Sequence, residues 1–248
     1  MAEKLTLNCD LGEADALHDQ SPEHHVMPYI DMANIACGFH AGNRQVMRDT
    51  VTLAKAHNVA IGAHPSYPDR ENFGRRSMQL GKADICDLVT QQIELLDAIC
   101  DEAQTKLHHI KPHGALYHDM MQHEQVLQGI LEALRHAGYD VPLLMMATAD
   151  NDHFRKKADS YGIEIWFEAF ADRRYTDETR LASRDTPGAV LSDPQLILAQ
   201  AQALAAGEPI ISETGKALAM DAQTLCVHGD NKHAVAVVKA IRQAFGGR

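Results

Sequence analysis

Seven short runs of strand-forming residues recur along this chain, each followed by a stretch with helical periodicity, and that alternation restricts the fold more than any other feature. The runs are Lys4 to Asn8, Asn34 to Cys37, Ala60 to His64, His108 to Pro112, Leu143 to Met146, Glu164 to Ala169 and Thr224 to Val227. All have ordinary strand lengths. Between them, Ile85, Leu88, Val89, Ile93, Leu96 and Ile99 repeat at helical spacing, as do Val126, Ile130, Leu131 and Leu134, and then Ala234, Val238, Ile241 and Phe245. Ser192-Asp193-Pro194 has the form of a helix start, with Gly207 as the stop. Repeated βα units build a mostly parallel sheet. The chain has 248 residues, enough for one large core and short for two, so the expectation is an α/β fold in which residues 1–248 form a single seven-stranded parallel β/α barrel.

Charge and cysteine content narrow the function classes. Lys and Arg number 23 against 34 Asp and Glu, a formal charge of -11, which disfavours nucleic acid and anionic membranes as partners. The chain shows no signal-like apolar segment and no stretch able to span a bilayer, so a cytoplasmic protein is expected. Five cysteines without CxxC spacing argue for reduced thiols rather than a disulfide framework or a structural zinc site. Cys9 and Cys37 share parity with core residues, whereas Cys226 shares the parity of His228.

Histidine is the compositional outlier, with 15 residues, several beside glycines at strand ends. Side chains alternate across a strand, so parity separates residues facing the barrel interior from those facing the helices. One parity carries Asn8 and Asp10, Asn34 and His40, Gly62 and His64, His109, Lys111 and His113, Glu164 and Glu168, and Thr224 and His228. Asp10, His40, His64, His113 and His228 come from five different strands at or just past their C-terminal ends, where barrel active sites are assembled. Any one of these histidines alone reads as a strand cap; their convergence favours a site. Lys111, directed inward, requires a partner such as Glu168 or Asp10, because buried lysine is rare without one.

Two loops flank these positions. Pro65 to Ser77 carries Asp69, Arg70, Arg75 and Arg76 with Tyr67 and Phe73, and Phe170 to Tyr175 carries Asp172, Arg173 and Arg174; either could serve as a lid or partner surface. Arg75, Arg76 and Arg173 offer bidentate forks for a carboxylate or phosphate, and pairing with Asp69, Glu71 or Asp172 is the structural alternative. The chain contains no GxxxxGK[ST] loop, no GxGxxG after the first strand and no GxSxG elbow.

The motifs Asn8-Cys9-Asp10-Leu11-Gly12-Glu13, Ala33 to Gly42, Gly62-Ala63-His64-Pro65, Lys111 to Tyr117, Phe170-Ala171-Asp172-Arg173 and Cys226 to Asp230 together resemble the LamB/YcsF family, the A subunits of 5-oxoprolinase. The resemblance implies a barrel of the glycoside hydrolase/deacetylase type. It also implies ATP-dependent opening of 5-oxoproline to glutamate, performed with 5-oxoprolinase subunits B and C, with ATP as cosubstrate. The sequence departs from the commoner family pattern at Ala14 to His25, at Asn43-Arg44, at Ala147 to Asp150 and at Arg174.

The candidate catalytic residues are thus Asp10, His40, His64, Lys111, His113 and His228, with Asp10 or a neighbouring histidine as base and Lys111 and His113 stabilising negative charge. The candidate substrate-binding residues are Glu13, Asn34, Arg75, Glu168, Asp172, Arg173 and Asp230. Two alternatives stand beside this reading. One is a metal-dependent deacetylase-type hydrolase with a divalent metal on Asp10, His64 and His113; the other is a noncatalytic binding subunit.

Overall fold

The first strand, β1 (Thr6–Leu11), turns Leu7, Cys9 and Leu11 to an apolar layer and Asn8 and Asp10 to the opposite side, and the rest of the chain is arranged around that choice. The computed structural model describes residues 5–184, 186–227 and 232–246. The chain continues through α1 (Pro22–Val26), β2 (Met32–Ala36), α2 (Arg44–Ala56), β3 (Ala60–His64), α3 (Lys82–Glu102), β4 (Leu107–Ile110), α4 (Gly114–Gln122), α5 (Glu124–His136) and β5 (Leu143–Met146). It then forms α6 (Asn151–Asp159), β6 (Ile165–Phe170), α7 (Pro194–Ala206), a short antiparallel pair β7 (Ile210–Ile211) and β8 (Ala217–Leu218), β9 (Thr224–Val227) and α8 (Lys232–Ala244). Seven strands, β1 to β6 and β9, close into a barrel in which every pairing is parallel.

All seven expected strands are present. β1 reaches Leu11, so Asp10 lies within the strand rather than beyond it. β4 stops at Ile110, before Pro112, which has no N–H to give a ladder. No sequence pattern predicts the β7/β8 pair, because two residues per strand are too few for any periodicity.

Side-chain caps start α2 and α7, the latter at the Ser192-Asp193-Pro194 start that the sequence predicts. The Asn43 side chain accepts from the N–H groups of Gln45 and Val46 to start α2, and Asp193 accepts from that of Gln195 ahead of Pro194 in α7. Gly207 ends α7 in the left-handed conformation. Ile85, Val89, Ile93, Leu96 and Ile99 of α3 are fully buried, each contributing about 1.5–3 kcal/mol of transfer free energy. The expected reduced thiols are found: all five cysteines are free. Among the described residues no helix is long and apolar enough to cross a membrane.

One irregularity sets the barrel interior. The β3/β4 register shifts between Ile61 and Gly62, so that Ile61 opposes Leu107 but Gly62 opposes His109. A Cβ at Gly62 would lie 2.1 Å from Nε2 of His109, so glycine makes the room that lets this imidazole enter the barrel.

Candidate active site

Under the mouth of the barrel the inward residues form one connected polar network. Nζ of Lys111 lies 3.1 Å from Oδ1 of Asp10, 3.0 Å from Oε2 of Glu168, 3.1 Å from Oδ1 of Asn8 and 3.2 Å from Sγ of Cys226. Asn34 donates to Oδ1 of both Asn8 and Asp10 at 2.8 Å, Asn8 donates to Glu168 and Thr224, and Nε2 of His109 meets Oδ1 of Asn34 at 2.7 Å. Lys111 therefore has both of the carboxylate partners that its inward parity required. Burial opposes its charge, but the Asp10 and Glu168 carboxylates outweigh burial and hold the ammonium well above the ordinary lysine range. Burial likewise pushes the Cys226 thiol well up, so this cysteine is a protonated neighbour of Lys111 and not a nucleophile.

Beside the network stands a cluster of histidines. Nδ1 of His64 lies 2.6 Å from the Lys111 carbonyl and its Nε2 lies 3.4 Å from Oδ2 of Asp10 and 3.0 Å from Nδ1 of His113. Nε2 of His113 faces the Phe73 carbonyl at 2.9 Å. His40 stacks on His113 with ring centroids 3.8 Å apart and planes 4° from parallel; its Nδ1 meets Ser66 at 2.9 Å and its Nε2 meets Oε1 of Glu13 at 3.3 Å. Burial lowers the pKa of both His40 and His113 to about 3, so both rings are neutral near pH 7. One ligand atom from each of Glu13, His40, His64 and His113 falls within 4.8 Å of all the others, so this group could hold a metal ion.

The loop over residues 65–77 is tied to the barrel at several points. Tyr67 and Ser77 both donate to the carboxylate of Asp119, at 2.9 and 2.8 Å, and Arg70 donates to the carbonyls of Gly38 and Gly42. Gln92 of α3 clamps Ser66 by donating to its carbonyl and accepting from its N–H. At Gly74, a Cβ would sit 3.0 Å from Cβ of His40 and 3.1 Å from Cδ2 of His113, so the bare backbone presses directly on the histidine stack. In this arrangement the loop forms one wall of the site.

A cavity of about 1150 Å³ opens over these groups, and Asp10, Glu13, His64, Arg75, Lys111, His113, Asp172 and Arg173 all line it. Of the expected substrate contacts, Asn34 and Glu168 are placed otherwise: both are fully buried and hold Asp10, Asn8 and Lys111 in position from below. His40, expected as catalytic, stands behind His113 and does not line the cavity. His228 and Asp230 lie outside the described residues. Arg76 is exposed and off the cavity, whereas Arg184, which no motif flags, is on it. Arg173 is buried; one Nη donates to the Ala182 carbonyl and its Nε has no hydrogen-bond partner.

The LamB/YcsF family matches this sequence over residues 5–247. A 5-oxoprolinase A subunit of Pseudomonas putida strain KT2440, the second of that name in the organism, is 50% identical over 247 residues, covering 100% of this chain and 96% of its own. The chain belongs to the LamB/YcsF family. A 5-oxoprolinase A subunit of Chromohalobacter salexigens is 48% identical over 97% of this chain and 96% of its own. Among solved structures, a lactam utilization protein from Thermus thermophilus superimposes with a TM-score of 0.89 at 33% identity, covering 98% of this chain and 96% of that one. A GH113 β-1,4-mannanase, 10% identical over 98% of this chain and 99% of its own with a TM-score of 0.54, shares the barrel fold alone.

Proposed function

We propose that this LamB/YcsF protein is a hydrolase acting on a cyclic amide. It opens the lactam of 5-oxo-L-proline to L-glutamate with cleavage of ATP, as the A subunit of a 5-oxoprolinase working with subunits B and C in the cytoplasm. The observation that carries the reading is the Asp10–Lys111 contact of 3.1 Å at the floor of the cavity, in a chain half identical to a 5-oxoprolinase A subunit.

A five-membered lactam is a weak electrophile, and ATP overcomes this by phosphorylating the amide oxygen. Water then adds to the ring carbonyl carbon and the C–N bond breaks as its nitrogen takes a proton. A second water releases phosphate from the resulting acyl phosphate. ATP and two waters are consumed, and glutamate, ADP and phosphate leave. Asp10, oriented by Asn34 and His64, is the base for the first water, and the Lys111 ammonium opposes the charge that develops on oxygen. Arg173 and Arg75, on the cavity wall, suit the substrate carboxylate. The sequence offers no phosphate loop, so the nucleotide is held in another way or by a partner subunit.

The test is the complex reconstituted with subunits B and C, carrying Asp10→Asn or Lys111→Met. Loss of at least about 100-fold in 5-oxoproline-dependent ATP hydrolysis and glutamate formation is expected, with assembly verified by gel filtration. Turnover at the unaltered rate in both variants would reject these roles. Full activity of subunits B and C on their own would make this chain a noncatalytic binding subunit.

A further inference from the structure

We propose that Glu13, His64 and His113 form a binding site for one first-row divalent transition ion of the zinc class, with His40 as the ring that backs His113.

The argument rests on which ring nitrogens are already used. A carbonyl can only accept, so the 2.6 Å contact to the Lys111 carbonyl assigns the N–H of His64 to Nδ1, and the 2.9 Å contact to the Phe73 carbonyl assigns that of His113 to Nε2. The two remaining nitrogens, Nε2 of His64 and Nδ1 of His113, face each other at 3.0 Å with the carboxylate oxygen of Glu13 3.6 Å from the latter. Two lone pairs and an anionic oxygen meet there, an arrangement that a cation satisfies. A ring whose outer N–H is fixed by a backbone carbonyl is the usual state of a metal-bound histidine.

The spacing agrees with this. Ligand bonds of about 2.0–2.1 Å in a tetrahedral set put neighbouring donors about 3.3 Å apart, and the observed separations of 3.0 and 3.6 Å bracket that value. Ring orientation distinguishes ligands from support. His64 and His113 stand at 80°, so both in-plane lone pairs can reach one point, whereas the planes of His113 and His40 are 4° from parallel and cannot both contain the same ion. Glu13, His64 and His113 line the cavity and His40 does not, which leaves the open coordination positions toward the solvent side. Two imidazoles and one carboxylate select a borderline ion such as zinc or cobalt over magnesium or calcium, which take oxygen sets. This set takes Glu13 where the expected set of Asp10, His64 and His113 takes Asp10: Oδ1 of Asp10 is held by Lys111 and Asn34, while its Oδ2 stands beside the site, 3.4 Å from Nε2 of His64.

Binding is read without turnover, so the outcome is independent of the lactam chemistry. Cobalt(II) is titrated into the chelator-stripped full chain, following visible absorption and bound metal after dialysis. One equivalent per chain with ligand-field bands is expected, bleached by zinc. His64→Ala and His113→Ala should weaken binding by at least about 100-fold, and His40→Ala by about 10-fold, as for an outer partner. Glu13→Gln, at the cavity edge, keeps the comparison open should a histidine variant fail to fold; it should also lose about 100-fold. Absence of saturable uptake below millimolar cobalt, or uptake unchanged in folded Glu13→Gln or His113→Ala, overturns the site.

Discussion

Oε2 of Glu168 lies 3.0 Å from Nζ of Lys111, and neither side chain is more than 3% exposed. Removing Glu168 would leave Lys111 with Asp10 as its remaining carboxylate and would take an acceptor from Asn8, both in a low-dielectric interior. Glu168→Ala is therefore expected to cost about 3 kcal/mol, lowering the melting temperature by roughly 6–12 °C for a chain of this size. Denaturation monitored by circular dichroism measures it, and a change under about 1 °C would contradict the placement.

Gly62 and His109 form a second coupled pair. With a Cβ only 2.1 Å from Nε2 of His109, Gly62→Ala forces the imidazole off its bond to Asn34 and should destabilise by about 3 kcal/mol or prevent soluble expression. Removing the obstructing ring relieves the clash, so in the background of His109→Ala the same glycine substitution should cost less than about 1 kcal/mol. A double-mutant cycle with no coupling would remove the steric account.

His109 also gives the barrel a pH dependence. Burial, then the charges of His108 and Lys111, hold its pKa well below the ordinary histidine value of 6.5. The folded protein thus binds fewer protons here than the unfolded chain does below pH 6.5, and stability present above that pH is lost as pH falls through it. Melting temperature should drop between about pH 7 and pH 5, and His109→Gln, which retains a donor toward Asn34 without titrating, should show a shallower drop. An identical profile would assign the acid sensitivity to other groups.

Arg173 separates binding from chemistry. Its guanidinium belongs to a side chain that lines the cavity, so Arg173→Met in the reconstituted complex should raise KM for 5-oxoproline about 10- to 100-fold, the equivalent of about 1.5–3 kcal/mol for a charged hydrogen bond, while kcat changes little. Steady-state kinetics decides it; a fall in kcat at constant KM would move Arg173 to the reacting centre.

The sequence carries the frame of this site more fully than its walls. Lys111 is legible because strand parity and the scarcity of buried lysine both require an inward partner, and two carboxylates meet it. Glu13 and His40 are harder to place, since both lie past strand ends where alternation no longer applies; their meeting depends on turn geometry. Asn34 and Glu168 sit below the cavity rather than on its lining, because parity says which way a side chain points but not how deep in the barrel it sits. Arg184 follows no strand or motif and reaches the cavity only through the course of the loop after β6.

The closure of the barrel has a consequence for biosynthesis. β9 is inserted between β6 and β1, pairing Thr224 with Thr6, and it contributes the Cys226 sulfur that touches Lys111. A nascent polypeptide that has not yet delivered this strand has two raw sheet edges and an ammonium lacking one of its contacts, so the polar floor of the cavity matures only after synthesis has passed Val227. Ribosome-stalled chains arrested before that point should be protease-sensitive where the released protein is not.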